Sequence, residues 1–217
     1  MYGLYRRLSG VLINILCQVE VVGTENVSLQ RPVIVAVNHL NFLDPVFVML
    51  GLPYDYITLL VAEKWAEIWP VSWIVAFVGG VFVRRGEVDR YALNRCLAAL
   101  EAGGAVGMAP EGTRSRTGTM QRGKPGVAYL AVKTNALVQP IGISGSEAII
   151  TSWRRFRRPR VSVRFGKPFY LAPVAGKNRT EQLQARSDEV MCRIADLLRE
   201  DLRGVYHNGV CSVNSVA

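Results

Sequence analysis

Short β-branched apolar runs alternate along the chain with longer stretches whose apolar residues return every three or four positions. Pro32 to Val37, P-V-I-V-A-V, is of the first kind and predicts a buried strand. Asp44-Pro45 ahead of V-F-V-M-L predicts a helix start, with Asp44 at the N-cap and Pro45 at the first helical position. Further strands are expected at Tyr56 to Val61, Gly80 to Arg84, Ala105 to Met108, Val138 to Ile143 and Val161 to Phe165. Pro140 places its strand at an edge or at a break in the sheet. Helices are expected from Glu87 to Ala102, where Val88, Tyr91, Ala92, Leu97 and Leu100 form a stripe that Gly103 and Gly104 end, and from Lys124 to Lys133. A last helix is expected from Thr180 to Arg203, opened by the capping-box spacing of Asn178 and Glu181 and closed by Gly204. Strands alternating with helices predict an α/β fold, a single layered domain with a central mostly parallel sheet flanked by helices. Ligands of such folds gather at the C-terminal ends of the strands.

Composition narrows the partners more than the fold. With 26 Lys and Arg against 17 Asp and Glu, the 217-residue chain carries a net charge of +9. Such a balance favours an anionic partner: nucleic acid, an anionic bilayer surface or a phosphorylated small molecule. Charge alone does not choose among them, but no nucleic-acid-binding motif is recognisable. The four cysteines, at 17, 96, 192 and 211, form no C-x-x-C pair. They read as free thiols of a reducing compartment, and no metal site is expected.

Two stretches raise the question of a membrane. The N-terminal segment with Arg6 and Arg7 is interrupted by Asn14 and lacks a small-residue cleavage site, so it reads as an amphipathic segment that stays attached. Trp65 to Val83 carries one charge, Glu67, but Pro70 and Gly79-Gly80 divide it into pieces too short to span. Trp65, Trp69 and Trp73 recur every fourth residue and suit either a bilayer interface or the core. A third stretch, W153-R-R-F-R-R-P-R160, sets five arginines beside Trp153 and Phe156; it reads as a further bilayer contact or as a solvated connection.

The chemistry concentrates after two predicted strands. In N-H-L-N-F-L-D, His39 and Asp44 have the makings of a base and its orienting carboxylate, the pairing that activates a hydroxyl. Residue types equally allow a helix cap beside a polar loop histidine. In P-E-G-T-R-S, Arg114 has the fork to grip a phosphate, Gly112 permits close backbone approach, and Thr113 and Ser115 offer hydroxyls. Glu111 would repel an anion unless it braces an arginine or binds a substrate hydroxyl, and a solvated turn is the alternative for the whole stretch. Arg84, ending G-V-F-V-R, and Lys124 are additional cations.

Taken in order, N-H-L-N-F-L-D, G-V-F-V-R, P-E-G-T-R-S and V-Q-P-I-G-I resemble the four sequence blocks of the glycerolipid acyltransferases, over roughly residues 30 to 170. Within that family the chain is similar to the bacterial-type 1-acylglycerol-3-phosphate acyltransferases. The resemblance implies transfer of a fatty acyl group from an acyl-CoA or acyl carrier protein thioester to the sn-2 hydroxyl of lysophosphatidic acid, forming phosphatidate in phospholipid biosynthesis without a cofactor. It assigns His39 as general base and Asp44 as its orienter. Arg84, Glu111, Gly112, Thr113, Arg114 and Lys124 fall to the phosphate-bearing acceptor, and the block around Pro140 to the acyl-chain side. Asn41 stands where many members have Ser, and Ala109 where Phe is common.

The implied organisation is an N-terminal membrane-associating segment at residues 1–28, an acyltransferase domain at 29–205 and a flexible tail at 206–217. The implied place is the cytoplasmic face of the cell membrane, with the protein peripheral or monotopic. A related acyltransferase acting on another lysophospholipid or lipid acceptor is the alternative within enzymes. A non-catalytic basic protein of membrane surfaces is the alternative outside them.

Overall fold

The computed structural model describes residues 10–53, 57–62, 80–83, 90–207 and 211. Arg84, the tryptophans at 65, 69 and 73, and the first nine residues, with Arg6 and Arg7, lie outside them. The described residues begin with helix α1 (10–16), then β1 (Gln18–Val22), β2 (Val33–Val37), α2 (Asp44–Gly51), β3 (Thr58–Ala62), β4 (Gly80–Val83) and α3 (Arg90–Glu101). It continues through β5 (Ala105–Met108), α4 (Gly126–Thr134), β6 (Leu137–Ser144), α5 (Ile149–Arg154), β7 (Arg160–Phe165) and α6 (Arg179–Ala195). The strands make one seven-stranded sheet in the order β1-β7-β6-β2-β5-β3-β4. Neighbours from β6 to β4 run parallel, and β1 and β7 form a parallel pair that meets β6 antiparallel.

The apolar run of β2 is continuous because both faces of the sheet are covered. Val33 and Val35 pack with Phe47 and Val48 of α2, Ile149 of α5 and Ile13 of α1. Ile34 and Ala36 point the other way, into a core with Leu97 and Leu100 of α3, Leu130 of α4 and Met191 and Ile194 of α6. One β-branched strand thus nails together two helical layers, since successive side chains leave a strand on opposite faces.

Several local expectations are corrected. Asp44 is the first residue of α2 rather than its cap; Leu43 holds the cap position, and no side chain caps the helix. Nor does a capping box open α6: Asn178 adopts a left-handed conformation with no side-chain cap bond. That helix ends at Ala195, and the chain continues in 3-10 turns at Glu200–Leu202 and Gly204–Tyr206. On α3 the buried stripe uses Cys96 where Tyr91 was expected, and Tyr91 is exposed.

Pro140 is interior, between β2 and β7, yet it marks a break. The β7 ladder stops at Phe165 opposite Ile141, and pairing resumes only at the Val138–Phe169 bridge. Between them the Pro140 carbonyl accepts the Gly166 N–H, and the Gly166 carbonyl, which a proline cannot serve, is taken instead by Gln139 Nε2 at 2.6 Å.

Residues 18–22, with Tyr206 and Cys211, near the two limits of the described residues, are tied into the domain. Residues 18–22, expected within a separate N-terminal segment, supply an edge strand. Tyr206, expected in the tail, is buried, and Cys211 forms a disulfide with Cys192 of α6, where free thiols were expected. Cys17 and Cys96 are free and buried, as small apolar side chains are.

Candidate active site

Strands β2 and β5 are neighbours, with Ala36 opposite Met108. Continuing that parallel register beyond the strand ends sets His39 across from Glu111. Sheet topology, rather than sequence proximity, therefore unites the two motifs. Asn38 extends the ladder on the other side: its side-chain amide donates to the Ile143 carbonyl at 2.9 Å and its Oδ1 accepts the Ile143 N–H at 2.8 Å. The loop that follows is anchored before it turns toward α2.

Asp44 organises this turn through one oxygen. Its Oδ2 accepts the backbone N–H groups of Leu40 and Asn41, each at 2.7 Å, and His39 Nδ1 at 2.9 Å. The carboxylate is almost fully buried, at 1% exposure, whereas the imidazole is 24% exposed. With Nδ1 donating to Asp44, Nε2 is left as the nitrogen to receive a proton. This is the geometry of an oriented base.

Glu111 is buried and holds backbone, not an arginine. Its Oε1 accepts the His39 N–H at 3.2 Å and its Oε2 the Gln121 N–H at 3.0 Å. Burial pushes its carboxyl up to about 7, against the opposing pull of those two N–H groups. The loop is closed further by the Ser115 N–H donating to the His39 carbonyl at 2.8 Å. Ser115 Oγ accepts the Gly118 N–H at 3.1 Å, so this hydroxyl, expected as an anion donor, stabilises its own turn.

The cations stand outside this scaffold. Arg114 and Lys124 are exposed, and Thr113 is half-buried. Lys124 is drawn to the P-E-G-T-R-S loop by its own N–H donating to the Pro110 carbonyl at 2.8 Å. Its side chain lies over Gly112, which has φ +69°; a Cβ there would come within 3.1 Å of Lys124 Cδ. Of the residues singled out from the sequence, His39, Asp44, Glu111, Gly112, Thr113, Arg114 and Lys124 gather at adjoining strand ends. Arg84 lies outside the described residues.

Sequence reasoning passed over four supports. Asn38 directly follows β2, and its place was the available signal. Gln121 acts through its backbone and has none. Asp188 and Tyr206 secure the segment that carries Gln121 and Lys124: Tyr206 OH donates to Asp188 Oδ1 at 2.8 Å and accepts the Gly123 N–H at 2.9 Å. Asn41 proves structural, its amide donating to the Ser146 carbonyl at 3.0 Å and its Oδ1 accepting the Leu43 N–H at 3.1 Å.

An oriented histidine beside an exposed arginine and lysine, at the strand ends of a parallel sheet, is suited to taking a proton from a hydroxyl on an anionic acceptor. The chain belongs to the acyltransferase family, whose profile, described as Acyltransferase, matches residues 18–144. Among curated relatives, the 1-acyl-sn-glycerol-3-phosphate acyltransferase LPAT1, chloroplastic, of Arabidopsis thaliana is 30% identical over 139 residues, 61% of this chain and 38% of its own length. The 1-acyl-sn-glycerol-3-phosphate acyltransferase of Borreliella burgdorferi is 26% identical over 126 residues, 57% of this chain and 50% of its own. The chain thus spans half or less of the length of these relatives. The crystal structure of the 1-acyl-sn-glycerophosphate (LPA) acyltransferase PlsC from Thermotoga maritima shares the fold, with a TM-score of 0.68 at 23% identity over 99% of this chain and 80% of that one.

Proposed function

We propose that the protein transfers a fatty acyl group from a thioester, carried on coenzyme A or acyl carrier protein, to the sn-2 hydroxyl of 1-acylglycerol 3-phosphate, giving phosphatidate. The observation that carries this reading is the 2.9 Å contact of His39 Nδ1 with buried Asp44, next to the loop bearing Arg114 and Lys124. His39 Nε2 takes the hydroxyl proton as the oxygen attacks the thioester carbonyl. The tetrahedral oxyanion collapses, the carbon–sulfur bond breaks, and the departing thiolate takes the proton back from the imidazolium. Arg114 and Lys124 hold the acceptor's phosphate, with Arg84 assigned to the same role. Glu111 positions His39 and the 121–124 segment rather than touching substrate. The names of the relatives support the acceptor chosen.

The reaction is placed at the cytoplasmic face of the cell membrane, on an anionic surface. Among the described residues no helix is long and apolar enough to cross a bilayer. Support for a docked arrangement comes from α1, which exposes Val11, Leu12 and Ile15, and from Phe156, which is fully exposed among Arg154, Arg155 and Arg157. The pairings Gln18–Arg160 and Ser144–Ser162 put both features at the end of the sheet where His39 lies. Each arginine near an anionic leaflet contributes about 1 kcal/mol.

The test is acyl transfer to lysophosphatidic acid by wild type and His39→Ala, with acyl-CoA and acyl carrier protein donors. Loss of about 10²- to 10⁴-fold in kcat is expected for the variant. Unchanged turnover would overturn the mechanism, and equal use of a phosphate-free acceptor would overturn the role given to Arg114 and Lys124.

A further inference from the structure

A groove of about 920 Å³ runs along β7 and β1 at the edge of the sheet, on the face that α6 covers further in. Its floor follows the period of a strand. Val161, Val163 and Phe165 of β7 turn into the opposite core, so the intervening Arg160, Ser162 and Arg164 face the groove. The wall comes from the chain after α6, through Leu198, Arg199 and Arg203, and the mouth from Ser144 and Gly145.

Five arginines line it, at 158, 160, 164, 199 and 203, against two carboxylates, Glu20 and Asp196. Some of these are already engaged: Arg158 donates to the carbonyls of Asn14 and Cys17, Arg160 to Gln18 Oε1, Arg203 to the Leu198 carbonyl, and Arg199 pairs with Asp201 and Glu147. Those contacts orient the guanidinium groups, and with Glu147 and Asp201 counted beside Glu20 and Asp196 the groove keeps an excess of one positive charge. On its floor, Ser162 Oγ is buried and has no hydrogen-bond partner among the described residues.

We propose that this groove binds the phosphate-bearing nucleotide end of a coenzyme A thioester, the acyl donor; this rests on the acyl-transfer reading given above. A nucleotide with a 3′-phosphate and a pyrophosphate matches a concave site rich in guanidinium forks, which grip phosphate oxygens in pairs. The volume falls in the range of small-molecule sites. A protein carrier would instead require a broad convex or flat patch.

Strand β7 is two strands from β2, about 10 Å across the sheet. Gly145 at the mouth precedes Ser146, whose carbonyl holds Asn41, two residues from His39. Arg160 and Arg164 lie on the face of the sheet opposite α2, so the long pantetheine arm of a nucleotide seated there would cross the rim of the sheet to reach His39 Nε2.

Direct calorimetric binding of adenosine 3′,5′-bisphosphate to the full chain tests the site independently of catalysis. Wild type is expected to bind it, and the double variant Arg160→Glu/Arg164→Glu to bind at least ten-fold more weakly; both residues are exposed, and thermal melting verifies that the variant is folded. In turnover, the KM for acyl-CoA is expected to rise ten-fold or more, while the KM for lysophosphatidic acid and turnover of an acyl-pantetheine lacking the nucleotide stay within two-fold. Absent binding by wild type, equal binding by the variant, or saturation by acyl carrier protein that the bisphosphate does not inhibit would overturn the proposal. A wild type that binds the bisphosphate yet transfers no acyl group would overturn the acyl-transfer reading and leave the groove established.

Discussion

Glu111 accepts the backbone N–H of His39 at 3.2 Å, while Asp44 accepts the same residue's ring Nδ1–H at 2.9 Å. The base is therefore fixed at both ends by two different buried carboxylates. Asp44→Asn is expected to keep an acceptor for the turn amides but to lose the charge that stabilises the imidazolium. Its kcat should fall by about 10²- to 10⁴-fold. Combining it with His39→Ala should add little further loss, because the two act as a unit. Steady-state kinetics of the single and double variants checks this, and multiplicative losses would contradict it.

Glu111 also gives stability an unusual pH slope. Its folded-state carboxyl titrates at about 7, against an ordinary 4.5, because burial disfavours the charge. Between those values the native state binds more protons than the unfolded chain, so the contribution to stability declines as pH rises from 4.5 through 7. The decline is on the order of 3 kcal/mol. Urea titrations of wild type and Glu111→Gln across this window should differ in slope, with the variant lacking this component. Parallel profiles would show that Glu111 titrates normally.

Gly112→Ala introduces a side chain where φ is +69° and where its Cβ would press on Lys124. The backbone penalty is about 1–2 kcal/mol. Because Lys124 is flexible, the larger consequence is its displacement from the loop. An increase of about ten-fold in the KM for lysophosphatidic acid is expected, roughly a 1.4 kcal/mol loss, with kcat nearly retained. A fall in kcat with unchanged KM would place Lys124 elsewhere in the reaction.

Tyr206→Phe keeps the ring but removes the acceptor of the Gly123 N–H and the donor to Asp188. Leaving these buried groups short of a partner costs roughly 1–3 kcal/mol. Chemical denaturation should register that loss. A stability equal to wild type would mean that the 121–124 segment is secured without Tyr206.

Much of this arrangement was legible because it obeys simple periodicities. The β2 run and the alternation of β7 announced their strands, and the two motifs followed strands as ligand-bearing loops do. Glu111 was harder. P-E-G-T-R-S has the polarity of a solvated turn, and nothing local reveals that the N–H groups of His39 and Gln121 will converge on its carboxylate. Asp44 was placed one position off because Asp and Pro suit both the cap and the first turn; only the upstream Leu40 and Asn41 amides decide between them. The disulfide was missed because Cys192 and Cys211 are brought together by 3-10 turns where a continuous helix was expected. The arginine groove is assembled from β7 and from the chain after α6, so no window of sequence contains it.

The reversed β1–β7 pair sets an order on assembly. Gln18 pairs with Arg160, 142 positions later, so β1, the first of the seven strands in chain order, has no neighbour until β7, the last of them, has appeared. Closing so long a loop is slow relative to local pairing. A nascent chain stopped at residue 155 should hold β1 unpaired and the outer edge of β6 open, an aggregation-prone state. Arrested chains released at 155 and at 170 would differ in protease protection of residues 18–22. Of the strands described, the first to be synthesised is thus the last to be enclosed.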